Sequence, residues 1–241
     1  MKESTTPLKN SLLTMSVSTD KIREDFDRLA RLTADDVHPS PYDAFLLEQI
    51  PRSLRRVLEV GCGTGGFSRA LANRGHQVTG IDLSPEMIRV ARQRAGPNQD
   101  VTLVCCDFLA HGSGDEPYDC VVSIATLHHL ELEVAVRRMA RLVRPGGLMV
   151  IHDIRSDAGP KDWLWTGLAV AAREWLRVRA GQLWDRAKVR EAWAEHGRGE
   201  RYPTMREVET WSQALLPGAK CIRHLQWRYT VVWQKAADHL R

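Results

Sequence analysis

The stretch VLEVGCGTGGFSRAL, residues 57–71, holds glycines at 61, 63, 65 and 66 between an apolar run and an amphipathic one. A strand, a glycine loop and a helix in that order bring backbone N–H groups close to a ligand. A triphosphate-binding loop needs a lysine after its last glycine, and none is present. A dinucleotide site needs G-x-G-x-x-G with an acid about 20 residues further on. Gly61, Gly63 and Gly66 meet that spacing, and Asp82 supplies the acid. Glu59 argues for a different ligand. A carboxylate just ahead of the first glycine repels a pyrophosphate and suits an amino cation. Asp82 can accept two ribose hydroxyls. Asp107 can accept from an adenine amino group, and the adjoining Phe108 offers apolar contact. The ligand so described carries positive charge, a ribose and an adenine, and no phosphate. S-adenosylmethionine has that chemistry.

These residues need a frame. RVLEV (56–60), QVTGI (77–81), VTLVC (101–105), YDCVVSI (118–124) and GLMVIHDI (147–154) read as strands. Helical patterns fall between them, at 66–74, from Pro85 to about Ala95, and at 131–143. Short apolar strands alternating with helices predict parallel βαβ units in a doubly wound α/β sheet. AKCIRHLQ and RYTVVWQKA are separated by Trp227 alone, too short a link for a crossover, so that pair is antiparallel. Ahead of the first strand, two helices are expected within 20–50, the first capped by Asp20. Residues 1–19 read as a loosely ordered arm. The core spans 51–241, interrupted at 155–206 by a helical cap that holds Trp163, Trp165, Trp175, Trp184 and Trp193; a further helix follows at 204–216.

Composition fits this frame. The 241 residues carry a net charge of +4, too mild to mark a nucleic-acid surface without a clearer basic patch. Five cysteines, with no C-x-x-C, indicate neither a disulfide framework nor a zinc site, and the expected location is cytoplasmic. No apolar run has the length of a membrane span or of a signal peptide core.

Five segments, VLEVGCGTG (57–65), GIDLSPEMI (80–88), CCDFL (105–109), YDCVVSIATLHHL (118–130) and RLVRPGGLMVI (141–151), together resemble the class I S-adenosylmethionine-dependent methyltransferases. The resemblance covers residues 57–154 in order and implies a Rossmann-like, seven-stranded, mostly parallel sheet with an antiparallel last strand. It also implies roles. Gly61, Cys62 and Gly63 approach the methionine part of the cofactor, and Glu59 orients its amino end. Asp82 holds the ribose, and Leu83 packs on adenine. Asp107 and Phe108 take the adenine edge and face, and Ser123 lies near the methionyl end.

The acceptor is read by elimination. SIATLHH stands where nucleic-acid amino methyltransferases carry an N/D-P-P-Y/F element, and no Pro-Cys pair offers a nucleophile for pyrimidine carbon. No acid ends strand four for metal-assisted catechol methylation. His152 and Asp153, neighbours on a strand, face opposite ways, so no metal is expected there. A small aromatic or apolar, natural-product-like metabolite remains, methylated on oxygen, nitrogen or carbon, with no nucleic-acid or membrane partner. Protein or RNA methylation and an NAD(P)-binding oxidoreductase are the competing functions. The catalytic candidates are His128 and His129, one facing the substrate as a base and the other held by packing, with Asp153 as the alternative.

Overall fold

The computed structural model describes residues 18–34, 40–96, 100–110, 116–156, 187–197 and 200–237. Residues 1–17 of the expected arm, and Trp163, Trp165, Trp175 and Trp184 of the expected cap, lie outside the described residues, while Ser18 and Thr19 form the start of the first helix.

Seven strands form one sheet: β1 (Arg56–Val60), β2 (Gln77–Asp82), β3 (Val101–Cys105), β4 (Tyr118–Ile124), β5 (Val143–Ile154), β6 (Lys220–Arg223) and β7 (Arg228–Gln234). Their order is β3-β2-β1-β4-β5-β7-β6. The first five run parallel, and β7 is antiparallel to both β5 and β6. The expected fold class is therefore the observed one. The order reverses between β1 and β4, and open α/β sheets bind ligands at the carboxyl ends of such a switch point.

Alternation along the strands sorts two apolar layers. Leu58, Val60, Val121, Met149 and Ile151 face α5 (Leu132–Leu142) and α7 (Met205–Leu215). Val57, Val78, Cys120, Val122 and Val150 face α2 (Asp43–Gln49) and α3 (Gly66–Ala72). Both faces of the central strands are thus buried, which is why they read as continuous apolar runs. Three further helices complete the described set: α1 (Thr19–Leu32), α4 (Pro85–Arg94) and α6 (Ala187–His196). Helix α1 packs against both α4 and α6.

Three local expectations change. Ser18, not Asp20, caps α1, its side chain accepting from Lys21 N. Strand β5 begins at Val143, ahead of the Pro-Gly-Gly segment. Val143 is fully buried opposite Tyr118, and the ladder then steps to Cys120 opposite Leu148, with the intervening residues bulged out. Trp193 on α6 remains 49% exposed and meets Phe26 of α1 edge-on at 6.4 Å, so it does not line an enclosed wall.

Candidate functional site

The glycine loop is clamped from two sides. Gly61 N and Cys62 N both donate to Ile81 O at 2.9 Å, fixing the loop on the end of β2. On the other side a Cβ at Gly61 would stand 2.0 Å from Thr126 Oγ1, in the turn after β4, and Gly61 has φ +75°. Only glycine permits both the conformation and the approach. Gly63, at φ +51°, faces open space instead. Its N–H donates to Asp82 Oδ2 at 2.8 Å, and Ser84 N donates to Asp82 Oδ1 at 2.9 Å. Asp82 therefore braces the loop against the start of α4, while Ser84 caps that helix. Burial, the largest influence, raises the Asp82 pKa.

Glu59 lies behind the loop, 2% exposed, with the Ser68 hydroxyl donating to Oε2. Burial, the largest influence, pushes its pKa up to about 8, which favours the protonated form at neutral pH. The Cys62 thiol is buried and pushed well above its usual range, which leaves it inert. Leu83 is half-buried, and Asp107 closes a local turn by accepting from Leu109 N at 2.8 Å. Phe108 departs from its expected place. It is 5% exposed within the main core, with the Arg138 guanidinium 5.6 Å from its ring centroid. Little of its ring is therefore exposed, whereas Leu83 is only half-buried. Ser123 is 1% exposed on β4, and its hydroxyl has no hydrogen-bond partner among the described residues.

The second group assembles where β4 and β5 end. Ala125 takes φ +51°, held by its N–H to His152 O at 2.8 Å, and the chain then tightens into a turn at Leu127–His129. Asp153 is 1% exposed and accepts from His128 Nδ1 at 2.6 Å and His128 N at 3.1 Å. It also accepts from Ile154 N at 2.7 Å. Those bonds occupy the carboxylate in fixing His128. Burial pulls the His128 pKa down, but Asp153 and Glu200 outweigh it and leave it raised.

Both histidines point the same way, because a turn, unlike a strand, does not alternate its side chains. His129 Nδ1 lies 3.0 Å from Glu200 Oε1, and His128 Nε2 lies 3.8 Å from Glu200 Oε2. This replaces the expectation of one substrate-facing imidazole and one held by packing. Burial foremost lowers the His129 pKa. Burial alone would raise Glu200, but hydrogen bonds from His129 and Tyr202 dominate and hold it at about 2. His152, by contrast, lies on the opposite face of β5, with Nδ1 2.9 Å from Thr230 Oγ1.

Residues 58–151 match the family model described as a methyltransferase domain. An uncharacterized methyltransferase of Mycobacterium tuberculosis is 31% identical over 198 residues, covering 80% of this chain and 93% of its own. The chain belongs to the methyltransferase family. The ubiquinone biosynthesis O-methyltransferase of Xylella fastidiosa is 37% identical over 115 residues, 46% of each chain. The N-methyltransferase NodS of Bradyrhizobium japonicum, solved with S-adenosylhomocysteine, shares the fold. Its TM-score is 0.57 at 18% identity, over 88% of this chain and 98% of that one.

The methyltransferase uses S-adenosylmethionine, and its residues fit that group. The loop surface at Gly63 is open and Glu59 and Asp82 stand beside it, while the nearby guanidinium groups of Arg69 and Arg94 are tied to Thr64 of the loop. Among the described residues of the methyltransferase, no helix is long and apolar enough to cross a membrane. Sequence reading missed Asp25, His196, Glu200, Tyr202 and Arg228. None sits in a motif, and each reaches the site from a remote segment. The only signal was compositional, the His-x-x-x-Glu-x-Tyr spacing of 196–202 at the end of a helix. Arg228 begins β7 opposite Ile154, and its Nη1 is buried without a hydrogen-bond partner among the described residues. Burial, the largest influence, lowers its pKa.

Proposed function

We propose that the protein transfers the methyl group to a hydroxyl of a small aromatic metabolite, bound where β4 and β5 end beneath α1 and α6. The observation that carries this is enclosure. The side chains of His128, His129 and Glu200 lie at the ligand-binding edge of the sheet, yet are only 5%, 6% and 8% exposed. A polypeptide or RNA strand would need an open groove there. The name of the Xylella relative, an O-methyltransferase, supports oxygen as the acceptor atom.

When bound, S-adenosylmethionine supplies an electrophilic methyl on a sulfonium. The chain does the rest. Asp82, Leu83 and Asp107 hold the nucleoside half, with Glu59 behind Gly61, Cys62 and Gly63 facing the amino end. The Ala125–Thr126 bend brings the acceptor side against the glycine loop. Asp153 fixes His128, so the polar end of the acceptor site is set before the acceptor arrives. The charge of Arg228 is felt at Asp153, Tyr42 and Tyr202, and no salt bridge neutralises it among the described residues. It is the group that stabilises an ionising acceptor oxygen. Holding the two reactants in line and excluding water supplies much of the acceleration.

The test is methyl transfer from labelled S-adenosylmethionine to a panel of phenols, catechols and hydroquinones, with products identified by mass spectrometry. The expected product is an O-methyl ether. Label appearing instead in protein or RNA of a cell extract, with none on the panel, overturns the reading.

A further inference from the structure

Three imidazoles converge on one carboxylate beneath α1. His129 Nδ1, His196 Nε2 and His128 Nε2 lie 3.0, 3.4 and 3.8 Å from the oxygens of Glu200. Phe26 of α1 closes over the group, its ring 5.3 Å from that of His129 and 4.9 Å from that of His196. All four polar side chains are more than nine-tenths buried.

Hydrogen bonding accounts for only part of this arrangement. Glu200 accepts from Tyr202 and sits at hydrogen-bonding distance from His129. It is too far from His128 Nε2 for a bond, and His196 Nε2 is buried with no hydrogen-bond partner. The outer nitrogens explain which atoms point inward. Asp153 holds His128 Nδ1 at 2.6 Å, and Asp25 holds His196 Nδ1 at 3.2 Å. A carboxylate on Nδ1 fixes the neutral ring with its proton there and its Nε2 lone pair turned inward. Lone pairs turned on a buried carboxylate repel it. A cation between them converts that repulsion into ligation.

Geometry matches such a cation. The donor atoms of His128, His129 and Glu200 all lie within 4.8 Å of one another. Donors held about 2.0–2.1 Å from a tetrahedral zinc sit about 3.3 Å apart. His129 Nδ1 stands 3.0 Å from Glu200 Oε1 and His128 Nε2 3.8 Å from Glu200 Oε2, so the donors need only small adjustments to close on one ion. We infer that His128 Nε2, His129 Nδ1 and a Glu200 oxygen bind a divalent transition metal of the zinc class, with His196 Nε2 accepting a hydrogen bond from water in the fourth position. Two imidazoles favour zinc over magnesium or calcium, which take oxygen donors. Two histidines and a glutamate form the ligand set of zinc sites that keep a position open, and Asp153 behind His128 is the outer carboxylate such ligands carry. The expectation of no metal rested on His152 and Asp153; these donors come instead from a turn and from a segment far along the chain. The open position lies in the acceptor site only if the proposed function holds; metal binding itself does not depend on that reading.

The experiment uses the full chain stripped with a chelator and titrated with Zn²⁺ against a chromophoric competitor, and separately with Co²⁺ followed by visible absorption. One ion per chain is expected, with a cobalt ligand-field band. Glu200→Gln and His129→Ala should each weaken Zn²⁺ by at least ~100-fold, and Asp153→Asn by roughly 10–100-fold, the range for loss of an outer carboxylate. Calorimetry with S-adenosylhomocysteine, which needs none of these side chains, reports that each variant is folded and tests the cofactor site independently. No stoichiometric ion on the wild-type chain, or undiminished affinity in folded Glu200→Gln, overturns the inference.

Discussion

Glu59 and Asp82 show how one glycine loop turns buried acids to use. Glu59 keeps its proton to about pH 8 in the folded chain, against an ordinary value of 4.5. Between those values the folded state binds more protons than the unfolded one. Stability without cofactor therefore falls as pH rises from 4.5 to about 8, and levels off above. Glu59→Gln should flatten that slope in denaturant melts taken across the range; an unchanged slope assigns it to other groups. Asp82 braces Gly63 and Ser84 through separate oxygens. Asp82→Ala should weaken S-adenosylmethionine by at least ~1.5 kcal/mol, the scale of one hydrogen bond to a charged group. Calorimetry showing wild-type affinity would remove Asp82 from the cofactor site. Both acids were legible in the sequence because Glu59 lies just ahead of the glycine turn and Asp82 about 20 residues after it, at the end of the next strand. Glu200 and His196 were not, because their neighbours, His129 and Asp25, lie on segments that only the folded chain brings together. Phe108 was misplaced for a related reason. Its position after an acid says which loop it is on, and not which way that loop turns its ring.

At the scale of elements, the strands were legible where both neighbours bury them, as in β1 and β4, since such strands must be apolar throughout. The start of β5 was not, because Pro145, Gly146 and Gly147 look like a loop and the structure absorbs them as a bulge. The junction between the glycine loop and the turn after β4 carries its own prediction. Gly61→Ala places a Cβ 2.0 Å from Thr126 Oγ1 on a backbone at φ +75°. Strain of this kind costs about 1–3 kcal/mol, read as a lowered denaturation midpoint. Combining it with Thr126→Gly should recover the part due to overlap and leave the part due to φ. Additive losses in that cycle would show that the two residues do not meet. A simpler element-level check lies at α7, where Thr204 and Glu207 form a reciprocal cap. Thr204→Ala should cost ~1 kcal/mol of stability with no change in cofactor affinity; a change in affinity would tie α7 to the site.

Across the whole molecule, the cover over the site is linked to the cofactor side by a few polar bonds. Asp27 of α1 accepts from Ser84 Oγ and from Glu86 N, at the start of the helix that Asp82 also braces. On its other face α1 meets α6, through Arg28 with Glu195 at 2.7 Å and Asp25 with His196 at 3.2 Å. Ordering the Asp82 corner by a bound nucleoside should therefore be felt in α1, and through α1 in α6. Saturating S-adenosylhomocysteine is expected to slow amide exchange in α1 and α6 beyond any slowing in β6 and β7, which lie at the far edge of the sheet. Asp27→Ala removes the link without touching the ligand. The variant loses both bonds, and even one net hydrogen bond of about 1 kcal/mol should speed local opening of α1 by roughly fivefold or more. The ligand-induced slowing in α6 should shrink with it, while that around Gly61–Gly63 persists. If α6 keeps its full ligand-induced slowing in Asp27→Ala, the coupling does not run through α1, and the contacts of α6 with the His128–His129 turn through Glu200 must carry it instead.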